Sequence, residues 1–299
     1  MPPSALNLRT IFQVYFKLGF DLLYKIMKVQ YDWVGHQKIR RCGMSSQLLD
    51  RLPLALMLGS QDIRQAYRRS VVGPFWITAG MALQIATIGL VFGLIFKSNI
   101  HDYLPYLATS IIAWGFISGA INEACSAFIS SENVIKQIDV PLYVFILRTL
   151  WKNILIFGHH LVLLPIAFLV ASRGLNWNIF LIIPGFVLLF LNLAWVSYVL
   201  ASMSARFRDL PPIVTSLTGI AFYVTPVMWM PELLGDPTTQ HVVLGLNPFY
   251  HFLQIIRLPL LGQTPTIENW AITLLLAGLG WLVAFAIHRR FAKMIAYWV

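Results

Sequence analysis

PFWITAGMALQIATIGLVFGLIF, residues 74–96, contains no charged residue. A helix needs about 20 apolar residues to cross a hydrocarbon core of roughly 30 Å, and this stretch supplies them. Arg64, Arg68 and Arg69 stand just before it, while only Lys97 follows closely. One basic flank and one bare flank orient a span with its basic side in the cytoplasm.

Working outward, five further stretches read the same way: Tyr103–Glu123, Asn153–Ser172, Leu175–Ala205, Leu210–Met230 and Asn269–Ile287. Lys136, Arg148 and Lys152 fall between the second and third, Arg206 and Arg208 between the fourth and fifth, and Arg289, Arg290 and Lys293 after the sixth. The alternate connections hold only Lys97, Arg173 and Arg257. This alternation predicts an all-α polytopic protein of six transmembrane helices in the inner membrane, with both termini cytoplasmic.

Composition agrees. Hydrophobic residues make up 58% of the 299 and charged residues 11%, unlike soluble domains. The net charge of +10 follows membrane sidedness rather than forming a patch, so anionic lipid headgroups, not nucleic acid, are the partners it implies. Cys42 falls in a predicted cytoplasmic tail and Cys125 at the inner end of the second span, which argues against a disulfide. No short apolar core with a small-residue cleavage site marks a removable leader.

Residues 1–54 read as a cytoplasmic segment ahead of a transmembrane domain at 55–299. Within 6–29, Lys17, Asp21, Lys25 and Lys28 interrupt a dense apolar run, a spacing that suits a helix lying in the membrane interface. Residues 32–43 read as a loop. Residues 59–72 read as a second amphipathic helix on the cytoplasmic surface, with Ile63, Ala66, Tyr67 and Ser70 on one face. Gly73-Pro74 then redirects the chain into the first span.

Residues 241–261 are largely apolar but contain Asn247-Pro248, His251, Gln254, Arg257 and Pro259. A seventh span there would carry Arg289, Arg290 and Lys293 outside, against the charge rule. Short re-entrant helices between spans five and six are the expectation, with Asn247, Pro248, Tyr250 and Arg257 as gate residues.

Motifs for chemistry in the chain itself are missing: no Gly-x-x-x-x-Gly-Lys-Ser/Thr phosphate loop, no His-Glu-x-x-His and no Gly-x-Ser-x-Gly. His159 and His160 are adjacent on a helix and point about 100° apart, so they do not chelate together. Glu123, near the end of the second span, reads as a partner for Arg or Lys rather than as part of a proton relay. Trp114, Phe116, Trp195, Tyr198, Phe222 and Tyr223 lie deep in spans, where aromatic faces either pack or line a path for sugars.

YRRSVVGPFW (67–76), FISSENVIKQ (128–137), SARFRD (204–209), TPVMW (225–229) and LNPFYHF (246–252) occur in the order seen in one family. The chain resembles the membrane subunit of ABC-2-type exporters of the polysaccharide branch, which export O-antigen or capsule. The likeness covers about residues 55–299. It implies a homodimer, each subunit engaging one of two copies of a nucleotide-binding ATPase. ATP and Mg²⁺ then belong to the partner, no cofactor belongs to this chain, and the chain is a transport subunit rather than an enzyme. The resemblance makes residues 128–140 a coupling helix, with Ser130, Ser131, Glu132 and Lys136 facing the ATPase. It makes residues 59–72 an interface helix and 231–262 outer gate helices. The cargo it implies is a glycan on undecaprenyl pyrophosphate, for which the forked guanidinium groups of Arg64, Arg68 and Arg69 are suited. The same fold exporting capsule, teichoic acid or a small drug is the alternative within the class. A membrane-embedded glycan enzyme is the alternative outside it, and the carboxylate pairs it needs are absent from the loops.

Overall fold

A computed structural model describes residues 44–68, 75–95, 99–138, 140–171, 176–235 and 243–299. The helix expected within 6–29, the loop at 32–43, Cys42, Arg69 and residues 236–242 lie outside the described residues. Contacts divide the chain into two units, Met1–Met57 and Leu58–Val299, and the second carries nearly all of the described helices.

Among the described residues all regular structure is helical. Helix α1, Met44–Ala66, begins in the first unit and ends in the second. The second unit continues with α2 (Phe75–Ile95), α3 (Ile100–Ala124), α4 (Glu132–Gln137), α5 (Tyr143–Leu161) and α6 (Leu163–Val170). It closes with α7 (Ile182–Arg206), α8 (Leu210–Val224), α9 (Pro248–Leu260) and α10 (Ile267–Trp298). Single turns of 3₁₀-helix at Ile129–Ser131, Trp177–Leu181 and Pro231–Leu234 join them.

Helix α3 is the centre of the unit. Its apolar window is 78% buried, against 11% for α2. Tyr103, Leu107, Ile112, Phe116, Ile117 and Ala120 are all enclosed, so residues around the whole circumference of α3 meet protein. Helix α2 instead exposes Leu83, Leu90, Leu94 and Ile95, an apolar surface that only lipid or another protein can cover. Helices α7 and α10 form a close seam. The Trp195 ring lies so close on Gly280 that a Cβ there would collide with it.

Among the described residues, five helical segments are long and apolar enough to cross a membrane: Phe75–Ile95, Ile100–Ala124, Tyr143–Val170, Trp177–Arg206 and Ile267–Trp298. Their limits differ from the sequence expectation for physical reasons. The third starts at Tyr143 rather than Asn153, because Arg148 and Lys152 find carboxylate partners and need not stay outside the helix. It breaks after Leu161 because Pro165 lacks an N–H and its ring crowds the carbonyl four residues back. The last runs through Arg289, Arg290 and Lys293 to Trp298, since these side chains are good helix formers beyond the apolar window.

The stretch expected to span at 210–230 is helical only over the 15 residues Leu210–Val224, about 22 Å of rise. Thr225, held extended at ψ 136° ahead of Pro226, ends it, because a residue before proline is disfavoured in the α region. Helix α9 has 13 residues, too few to span. Asn247 caps its start by accepting from the Phe249 N–H, and Pro248 occupies the first turn, where no donor is needed.

Candidate functional site

Polar side chains gather at the two ends of α3, some 20 residues and therefore about 30 Å apart. At its C-terminal end, Glu123 accepts from Lys152 Nζ at 2.8 Å and from Asn153 Nδ2 at 3.0 Å. One turn earlier on α5, Arg148 donates from Nε and Nη2 to both carboxylate oxygens of Asp62, at 2.7 and 2.6 Å. This bidentate fork is the strongest geometry available to such a pair. Arg148 Nη1 also reaches Ser131 Oγ, at 3.5 Å. Trp151 Nε1 donates to Ser60 at 3.0 Å. Helix α1 approaches α5 so closely here that a Cβ on Gly59 would meet the Arg148 carbonyl at 2.7 Å. A cavity of about 510 Å³ opens among these groups, bordered by Asp62, Gln65, Glu123, Ser130, Arg148 and Lys152.

The N-terminal end of α3 holds the irregular chain that follows α8. Tyr103 donates to the Met228 carbonyl at 2.6 Å, and Tyr106 reaches the carbonyls of Pro226 and Trp229, both at 2.9 Å. Arg257, 1% exposed, donates from Nη1 to the Pro226 carbonyl at 2.7 Å and to Ser110 Oγ at 3.1 Å. Its guanidinium carbon lies 4.3 Å from the Tyr106 ring centre. Asn247 Nδ2 donates to Thr225 Oγ1 at 2.9 Å. Backbone outside a helix is tolerated among apolar helices only where other groups satisfy it, and these side chains do so.

Residues 54–261 match the ABC-2 type transporter family. The chain belongs to that family. It is 24% identical over 196 residues to the O-antigen export system permease protein RfbA of Myxococcus xanthus, a match covering 65% of this chain and 75% of that one. Two proteins of the same name from Klebsiella pneumoniae are 24% and 25% identical over 191 residues, covering 61% of this chain and 71% of theirs.

The residues expected to serve an ABC-2 exporter fall into distinct settings. Ser130 is exposed, but Ser131 is buried beneath Arg148 and faces inward. Glu132 and Lys136 pair with each other at 2.6 Å on the open face of α4. Lys136 holds the Glu132 carboxyl below its ordinary value of 4.5, so the pair is intact at neutral pH and is lost only as pH falls through that lowered value. Arg64 and Arg68 are exposed at the end of α1. Of the gate set, Arg257 and Asn247 join the knot below α8, Pro248 opens α9, and Tyr250 is half-buried on it.

Most of the deep aromatics are packed within the subunit. Trp114 meets Phe222 and Phe249 at 5.9 and 5.5 Å between ring centres. Phe116 stacks with Phe186 at 5.4 Å, and Trp195 donates to Asn192 Oδ1 at 3.1 Å. The Tyr198 hydroxyl lies 2.6 Å from His288 Nδ1. Tyr223 differs, being 64% exposed on α8. Glu123 pairs with a base, as its position near a span end implied. Among the described residues no three His, Cys, Asp or Glu side chains gather to hold a metal, and His159 turns its Nδ1 to the Leu155 carbonyl at 2.7 Å.

Two groupings escaped the sequence reading. Asp62 and Arg148 lie 86 positions apart, and no local spacing links them. Tyr103 and Tyr106, at the start of an expected span, bind carbonyls more than 120 residues away. The signal that could have found the second was Arg257 itself, a charge inside an apolar run, which within a membrane implies a buried partner.

Proposed function

We propose that this chain is the membrane subunit of an ATP-driven exporter that moves lipid-linked polysaccharide, O-antigen on undecaprenyl pyrophosphate, across the bacterial inner membrane. It works as a homodimer with two copies of a separate ATPase subunit, which binds ATP and Mg²⁺. The observation that carries this reading is the ABC-2 family match over residues 54–261, together with relatives named as O-antigen export permeases.

The geometry supports a division of labour along α3. The end bearing Glu123 is the cytoplasmic one, by the charge rule. There α4 offers Glu132, Asn133 and Lys136 to a partner, and Ser130 precedes them on the same open turn. Arg64 and Arg68 stand at the intake, where forked donors suit a pyrophosphate. Helix α8, continued by residues 225–230, makes the sixth crossing and faces the dimer axis with Tyr223 exposed, and α8, α2 and the outer face of α10 make the contact between copies. The polyprenyl tail stays in lipid while the sugars pass between the subunits. The knot at 225–230 and α9 is the outer gate.

Reconstitution with the partner tests this reading. The purified chain alone is expected to hydrolyse no ATP, and adding an ATPase from a neighbouring gene is expected to give a stable complex whose hydrolysis responds to lipid-linked glycan. ATP hydrolysis by the chain alone, or failure of every neighbouring ATPase to associate, contradicts it.

A further inference from the structure

We propose that Arg148 is a positioning residue that carries the ATPase stroke from the partner-facing turn to the intake helix, through its fork to Asp62. The proposal rests on the function proposed above, in which the turn at 129–137 meets the ATPase.

Three segments converge on this one guanidinium: Asp62 on α1, 86 positions away, Ser131 at the foot of α4, and α5, which bears Arg148. The side chains of Arg148 and Asp62 are 26% and 25% exposed. That is enough enclosure to strengthen the pair beyond a surface ion pair, and enough access for it to rearrange. Beside it, Lys152 and Asn153 lock α5 to the end of α3 through Glu123. Helix α5 therefore sets one charged row, Arg148 and Lys152 at i and i+4, against carboxylates from two different elements.

The contacts differ in rigidity, which gives the joint a direction. Helix α1 is fixed to α5 by the Gly59 approach, the Trp151–Ser60 bond and the double Arg148–Asp62 bond. The turn is tied to the same guanidinium by one long bond, 3.5 Å, and borders a cavity of about 510 Å³ into which it has room to move. A push on α4 is thus received by Arg148 and passed to α1 as a unit. Two residues beyond Asp62 on that helix stands Arg64, so the clasp links the ATPase contact to the intake for pyrophosphate.

The test uses the full exporter complex with Asp62→Asn, Arg148→Gln, Arg148→Lys and the reversed pair Asp62→Arg with Arg148→Asp. Four quantities are read at matched abundance: thermal stability, co-purification with the ATPase, ATP hydrolysis and polysaccharide export. The single neutral variants are expected to keep the complex and hydrolyse ATP within about twofold of the parent, while export falls about tenfold or more. Arg148→Lys, which retains charge but loses the fork, falls between, and the reversed pair regains much of the lost export. Normal export by both neutral variants overturns the proposal. So does a parallel loss of thermal stability, complex and hydrolysis in all the variants including Arg148→Lys, which marks a clamp that only holds the fold. If the parent chain itself binds no ATPase, the proposed function fails instead.

Discussion

Charge placed inside an apolar fold has to be answered by partners that replace water. Arg257 is answered by bonds to a carbonyl and a hydroxyl and by a tyrosine ring, rather than by a carboxylate among the described residues. Arg64 and Arg68 are exposed, and with Arg69 they are the candidates for cargo binding. Replacing each of these three by Lys keeps the positive charge that orients the protein but removes the bidentate fork. Export is expected to fall several-fold in at least one Lys variant, with lipid-linked glycan accumulating in the inner leaflet, measured at matched expression and topology. Full export by all three makes them lipid anchors. A different residue tests the interior: Gly280→Ala drives a methyl into the Trp195 ring. It is expected to cost about 1–3 kcal/mol, read as a lowered unfolding midpoint in detergent. A variant that unfolds like the parent but exports poorly would instead place Trp195 on the sugar path.

At the scale of elements, α4 is six residues long and presents Glu132 and Lys136 outward. Their mutual ion pair is exposed and adds little stability, so their removal reads out partner contact rather than folding. Replacing both by Ala is expected to weaken ATPase association or reduce export per ATP while membrane insertion stays normal; unchanged association and export would remove α4 from the coupling role. The sequence made the long apolar helices readable because about 20 uncharged residues have few fates besides a membrane helix or a deep core. It misplaced the start of the third, where Arg148 and Lys152 looked like loop residues until Asp62 and Glu123 supplied counter-charges. It also overran α8, because residues 225–230 are as apolar as a helix and only Pro226 hints that their carbonyls are bound elsewhere. Long-range pairing of this kind leaves no period in the chain. For the same reason Trp114, Phe116 and Tyr198 could be found as deep aromatics but not assigned to packing until their neighbours were seen.

For the whole molecule, the described residues hold five long apolar helices, a shorter one at Leu210–Val224 and two polar knots at opposite ends of α3, which under the proposed function are the driven end and the gated end. Its apolar outer faces on α2 and α8 leave room for a second copy and for lipid. Above all, a separate ATPase is expected to drive this chain to move lipid-linked polysaccharide outward. The most direct measurement places the chain and its ATPase in sealed vesicles containing lipid-linked glycan on the ATPase side. Glycan exposed on the far side is then followed with an impermeant lectin. The expected result is lectin-accessible glycan that appears only with ATP and Mg²⁺ and only when both proteins are present. Glycan that stays inaccessible while the complex hydrolyses ATP, or that crosses equally well without ATP, would contradict it.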